Sequence, residues 1–146
     1  MTAGTVLVRA RNVSKTFGTG TVAAKALHEV SIELRAGELA LLIGPSGSGK
    51  TTLLYVLSGL LRPTSGEVEL CGVPITRLPE ENSAQARRRH VGFIFQTYNL
   101  FPALTALDNV SEVLVMKGTP RAQARARAAD MLARVGLGDR LLHKPG

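Results

Sequence analysis

Residues Gly44-Pro45-Ser46-Gly47-Ser48-Gly49-Lys50-Thr51 follow the pattern G-x-x-x-x-G-K-[ST], the spacing at which a backbone can wrap around a chain of phosphates. Glycines at 44, 47 and 49 permit the dihedral angles that turn successive amides toward an anion. Lys50 offers a compact positive charge for β- and γ-phosphate oxygens, and the Thr51 hydroxyl is a ligand for a magnesium ion that keeps most of its water. Thr52 adds a hydroxyl within reach of an α-phosphate. By itself this chemistry specifies a nucleoside triphosphate and nothing narrower, because kinases, GTPases, motors and transporters all share it.

Such a loop is expected between a buried strand and the first turn of a helix, whose dipole and unpaired amides favour an anion. The aliphatic run Leu39-Ala40-Leu41-Leu42-Ile43 predicts that strand, covered on both faces as at the centre of a parallel sheet. Lys50–Leu60 predicts the helix, with Leu53, Leu54 and Leu57 at helical spacing and Gly59 and Pro63 near its end. Upstream, Val6, Val8 and Ala10 alternate with polar residues, as do Val30, Ile32 and Leu34, and Ala36-Gly37 reads as a tight turn, so antiparallel strands come first. Downstream, Glu67–Cys71 and Val91–Phe95 read as strands, the second ending at Gln96, with a helix over Glu80–Arg89 between them. Thr105 caps a helix running to Met116, with Asp108 in the capping-box position. Thr119-Pro120 opens another that ends at Gly136, its apolar face formed by Ala124, Ala128, Met131, Leu132 and Val135.

At 146 residues, 45% of them hydrophobic, the chain has the size and apolar content of one globular domain. No apolar run approaches the roughly 20 residues needed to cross a bilayer, and no signal segment precedes the first strand. Cys71 is the only cysteine, which excludes an intrachain disulfide and suits a reducing cytoplasm, and the three histidines are too dispersed for a local metal site. The formal charge of +7 is concentrated C-terminally, in Arg87-Arg88-Arg89-His90 and in Arg121, Arg125, Arg127, Arg134, Arg140 and Lys144. With only six aromatic residues to stack bases, these read as solvated helix faces, and no direct nucleic-acid partner is expected.

Beyond the loop, several motifs resemble the ATP-binding cassette (ABC) ATPases, over essentially the whole chain. Asn12-Val13-Ser14-Lys15-Thr16-Phe17 is similar to the family's opening segment, in which an aromatic ring stacks on adenine. The resemblance gives that role to Phe17; stacking uses the ring face, so phenylalanine in place of the commoner tyrosine is compatible. Pro63-Thr64-Ser65-Gly66-Glu67 followed by Gly72 matches the next turn and strand. Val91-Gly92-Phe93-Ile94-Phe95-Gln96, then Asn99–Ala106 and Asn109-Val110, resemble the glutamine loop and its sequel, with Gln96 placed 46 residues after Lys50. There the family's glutamine approaches the magnesium ion and the attacking water, so the resemblance makes Gln96 a metal-associated, catalytic residue alongside Lys50. Within the family, Gly92–Gln96, Leu104-Thr105-Ala106 and Val135–Arg140 look most like the lipoprotein-release, macrolide-export and cell-division group, while Asn99-Leu100-Phe101-Pro102 also resembles importers of polar amino acids.

The resemblance implies an α/β fold: a P-loop NTPase core, here truncated, with an N-terminal antiparallel β subdomain and the start of a helical subdomain. The expected parts are residues 1–37 for the β portion, 38–96 for the P-loop core and 97–146 for the helical beginning. ATP and Mg2+ are the implied cofactors, held by Phe17, Gly44 to Thr52 and Gln96. The implied partners are a second ATPase subunit, closing head to tail, and membrane-spanning permease subunits that keep the chain peripheral on the inner face of the plasma membrane. After His143-Lys144-Pro145-Gly146 the family would continue with Leu-Ser-Gly-Gly-Gln, an aliphatic strand ending in Asp-Glu and a histidine loop. A chain stopping at Gly146 is therefore expected to bind ATP without hydrolysing it, and to leave Leu39–Ile43 as an exposed edge lacking a ladder partner. A nucleic-acid-associated P-loop ATPase is the alternative that the basic charge leaves open. A GTPase is disfavoured because the guanine-reading pattern Asn-Lys-x-Asp is nowhere in the chain.

Overall fold

The computed structural model describes residues 4–146. Its contacts divide the chain into two units, Met1–Gly92 and Phe93–Gly146, each with its own core.

In the first unit, β1 (Val6–Phe17) lies between β2 (Ala24–Arg35) and β3 (Ser65–Leu70) in an antiparallel sheet of order β2-β1-β3. The alternation of apolar residues builds its inner face: Ala10, Val13, Leu27, Val68 and Leu70 are buried there with Leu53, Val56 and Leu57 of α1 (Lys50–Leu57). Ile75 and Ala86, the latter from α2 (Glu80–His90), complete this core. The ladder is not regular. Asn12 and Glu29 both take φ of 48°, producing bulges that free backbone amides from the ladder. Two serines satisfy them: Ser31 Oγ accepts from Asn12 N and Ser14 Oγ from Glu29 N, each at 2.9 Å.

The second unit is a helical hairpin of α3 (Ala106–Met116) and α4 (Arg121–Arg134), closed over Leu107, Ala128 and Leu132. Its termini follow the local sequence closely. Thr105 Oγ1 accepts from Asp108 N at 3.1 Å and donates to Asp108 Oδ2 at 2.6 Å, while Arg125 of α4 pairs with the other carboxylate oxygen. The carbonyls of His143 and Leu141 accept from Ala106 N and Leu107 N, so the first three amides of α3 are all engaged. At the far end of α4, Gly136 N reaches Ala133 O and Leu137 N reaches Leu132 O, the paired bonds of a left-handed helix stop at Gly136. Buried Asn109 ties the preceding loop to α3, its Oδ1 accepting from Phe101 N at 2.8 Å and its Nδ2 lying 3.0–3.2 Å from the carbonyls of Phe101, Leu104 and Thr105.

Three expectations need correction. Leu39–Ile43 forms no strand: it is an extended segment outside the sheet, with Leu39 97% and Ile43 82% exposed. Val91–Phe95 likewise joins no sheet, and Ile94 is 97% exposed. Extended backbone becomes a strand only when a neighbour takes up its ladder bonds, and the sheet of the described residues contains β1 to β3 alone. In α4, Ala124, Ala128 and Leu132 face the core, but Val135 lies past the helix end and Met131 on its open side, so both are exposed.

Candidate functional site: a phosphate-type loop

The loop is held at its C-terminal end. Gly49 is the N-cap of α1 with φ 85° and ψ 6°, and its carbonyl accepts from Leu53 N at 2.8 Å as the first helical bond. Only glycine fits there. A Cβ at Gly49 would overlap the Ala26 carbonyl of β2 and come within 3.3 Å of Leu27 Cδ2. The opening turn of α1 therefore rests directly on β2, and the buried Leu53, Val56 and Leu57 anchor the rest of the helix in the core.

Within the loop, the Lys50 ammonium folds back over its own backbone. It donates to Gly44 O at 2.8 Å, to Pro45 O, and lies 3.3 Å from Ser48 Oγ. Loop carbonyls and a hydroxyl thus gather around a cation, while no side chain caps α1, leaving its first amides for a ligand or solvent. Positive φ at Gly47, 79°, closes the tip. A turn that brings together a helix N-terminus without a side-chain cap and an ammonium suits a polyphosphate oxyanion. Ser46 and Ser48 are exposed on that turn, as is Thr51, while Thr52 is half-buried one residue further along α1. Backbone amides, an ammonium and hydroxyls are a donor set chemically compatible with a polyphosphate, and Thr51 carries an exposed side chain in the first turn of α1.

Phe17 belongs to the same unit. It ends β1 opposite Ala24, two residues before the Ala26 carbonyl that abuts Gly49, about 7 Å along β2. Phe17 is 44% exposed. Sequence reasoning assigned nothing to Lys15, yet its Nζ lies 5.3 Å from the Phe17 ring centroid and donates to Arg62 O at 2.8 Å. The signal available was a lysine two positions before the aromatic, which in a regular strand places both on one face. Gln96 falls in the second unit, exposed in a bend after Phe93 and Phe95, whose rings stand 4.7 Å apart at 49°. Asp108, the acid nearest Gln96 in sequence, is committed elsewhere: the Thr105 hydroxyl and then Arg125 hold its carboxyl below the usual range, as a helix cap requires.

This fold and loop define a P-loop nucleotide-binding domain. Residues 27–145 match the family model described as ABC transporter, and the chain belongs to that family. It is 47% identical, over 92% of its length, both to an uncharacterized ABC transporter ATP-binding protein of Thermotoga maritima and to the lipoprotein-releasing system ATP-binding protein LolD 2 of Rhodospirillum rubrum. It is 44% identical over 98% of its length to the macrolide export ATP-binding/permease protein MacB of Brucella abortus. Among solved structures, it aligns over 95% of its length, at 36% identity and a TM-score of 0.88, with the dimeric post-hydrolysis state of the ATP-binding cassette MJ0796 bound to ADP and Pi. The chain spans 57% of the Thermotoga protein, 59% of LolD 2, 22% of MacB and 62% of the cassette.

Proposed function

We propose that this chain is the ATP-binding part of the energy-coupling subunit of an ABC transporter, of the exporting or lipoprotein-release type. The observation that carries this reading is the Lys50 ammonium held on the Gly44 and Pro45 carbonyls beside the uncapped start of α1. On this reading Lys50 exchanges those carbonyls for phosphate oxygens, the amides of residues 44–52 cradle the phosphates, and the Phe17 ring carries adenine. Thr51 would hold Mg2+, which would screen phosphate charge, and Gln96, in the second unit, is assigned a metal-associated role by the family resemblance alone. The similarity to LolD 2 and MacB supports the transport class.

Residues 1–37 then supply two strands of the antiparallel part, 38–96 the P-loop core together with the third strand, β3, and 97–146 the start of the helical part. The partners are a second ATPase subunit, in keeping with the dimeric cassette that the fold matches, and permease subunits, in keeping with the ATP-binding/permease description of MacB. Attachment at the inner face of the plasma membrane is assigned to those permeases; among the described residues no helix is long and apolar enough to cross a membrane. With Asp108 committed to the α3 cap, none of the residues assigned a role in this reading supplies a carboxylate base, and the role proposed for them is ATP binding without turnover.

Titration of the purified chain with Mg-ATP in a calorimeter tests this. Wild type is expected to bind ATP in preference to GTP, and Lys50→Ala to lose about tenfold or more, since a hydrogen bond to a charged group contributes about 1.5–3 kcal/mol. Gln96→Ala is expected to retain most of the affinity. Equal ATP affinity in wild type and Lys50→Ala would remove the reading, and sustained phosphate release by the wild-type chain would remove the claim of binding without turnover.

A further inference from the structure

Phenylalanine at position 17 lacks the hydroxyl with which a tyrosine could fix its ring, so the orientation of an exposed platform must come from another contact. Lys15 supplies one. Its ammonium sits over the ring at 5.3 Å from the centroid, within the range where a cation is drawn to the π face. The same ammonium is tethered by its 2.8 Å bond to Arg62 O. Arg62 belongs to the turn that leaves α1, and this turn meets β1 twice more: Thr64 N donates to Ser14 O at 2.8 Å, and Thr16 N to Thr64 Oγ1 at 3.0 Å. Residues 14–17 are thereby clamped to the segment that follows the helix of the phosphate loop.

We propose that Lys15 is a positioning residue for nucleotide binding: it covers one face of the Phe17 ring and holds the ring in place, so that the base stacks on the other face. The inference rests on the reading of Phe17 as the adenine platform. It separates base recognition, which depends on Lys15 and Phe17, from phosphate recognition, which depends on the loop and Lys50.

The separation is measurable with two probes, Mg-ATP and inorganic tripolyphosphate, the second having no base. Lys15→Met is expected to weaken ATP roughly two- to five-fold, the size of an exposed cation–π contact, and to leave tripolyphosphate unchanged. Lys15→Gln keeps a donor for the Arg62 carbonyl without the charge and is expected to lose ATP as Lys15→Met does, whereas Lys15→Arg retains wild-type affinity. In a Phe17→Leu background, Lys15→Met is expected to have no further effect, because the partner ring is gone. Unchanged tripolyphosphate affinity also certifies an intact loop in each variant. Equal losses for both probes, an ATP affinity indifferent to Lys15, or an undiminished effect in the Phe17→Leu background would overturn the role of Lys15 alone. A wild-type chain that binds neither probe would overturn the nucleotide reading and this inference with it.

Discussion

Gly47 and Gly49 offer a controlled comparison inside one loop. Both have left-handed backbones, φ 79° and 85°, so alanine at either position incurs the left-handed penalty of about 1–2 kcal/mol. They differ in surroundings. A Cβ at Gly47 would meet nothing within 4 Å, whereas at Gly49 it would overlap the Ala26 carbonyl and crowd Leu27 Cδ2 at 3.3 Å. Neither neighbour yields readily, since Ala26 is backbone of β2 and Leu27 is a buried core residue. Relieving such an overlap by shifting packed elements typically costs about 1–3 kcal/mol more. Gly47→Ala is therefore expected to lose about 1–2 kcal/mol and Gly49→Ala about 2–5 kcal/mol. Urea unfolding followed by far-ultraviolet circular dichroism resolves the difference, which corresponds to a midpoint shift on the order of 1 M at the usual slopes for small domains. If the two variants unfold at the same urea concentration, the first turn of α1 is not seated on β2, and the account of how the loop is positioned fails.

Two further outcomes follow from other parts of the chain. Asp108 has a folded pKa lowered by the Thr105 hydroxyl and Arg125, so its stabilising contribution is complete above its unfolded value of about 4 and is lost as pH falls through the lower folded value. Stability measured from pH 7 down to pH 2 should consequently drop less steeply in Asp108→Asn than in wild type; parallel curves would mean that the cap and the Arg125 pair contribute nothing. The double variant Leu39→Lys, Ile43→Lys changes side chains that are 97% and 82% exposed, and should leave unfolding within about 0.5 kcal/mol per site while reducing self-association seen by light scattering. A loss of several kcal/mol would show that this segment is buried.

Local signals in the sequence were accurate where the structure is local. The cap at Thr105 with Asp108, the stop at Gly136, the turn at Ala36-Gly37 and the helix after the loop depend on residues a few positions apart, and each is present in the structure. Expectations that depended on distant partners fared differently. Leu39–Ile43 and Val91–Phe95 have strand composition, but composition cannot supply a neighbouring ladder, and neither segment joins the sheet. The bulges at Asn12 and Glu29 were hidden for a related reason: strict alternation describes a regular strand, while a bulge is fixed by what pairs across it, here Ser31 and Ser14.

The same distinction explains how a loop preceded by an unpaired segment keeps its shape. Its curvature is set by its own residues, through the positive φ of Gly47 and Gly49 and the Lys50 ammonium bound to the carbonyls behind it. Its position is set from the opposite side to the one the sequence suggested, by Gly49 against Ala26 and by Leu53, Val56 and Leu57 in the core, rather than by Leu39–Ile43. Because Phe17 pairs with Ala24 on that same strand, β2 fixes both the phosphate loop and the aromatic ring. A defect in β2 near residues 24–27 should then disturb the proposed base and phosphate contacts together, whereas changes at Lys15 or Lys50 should divide them.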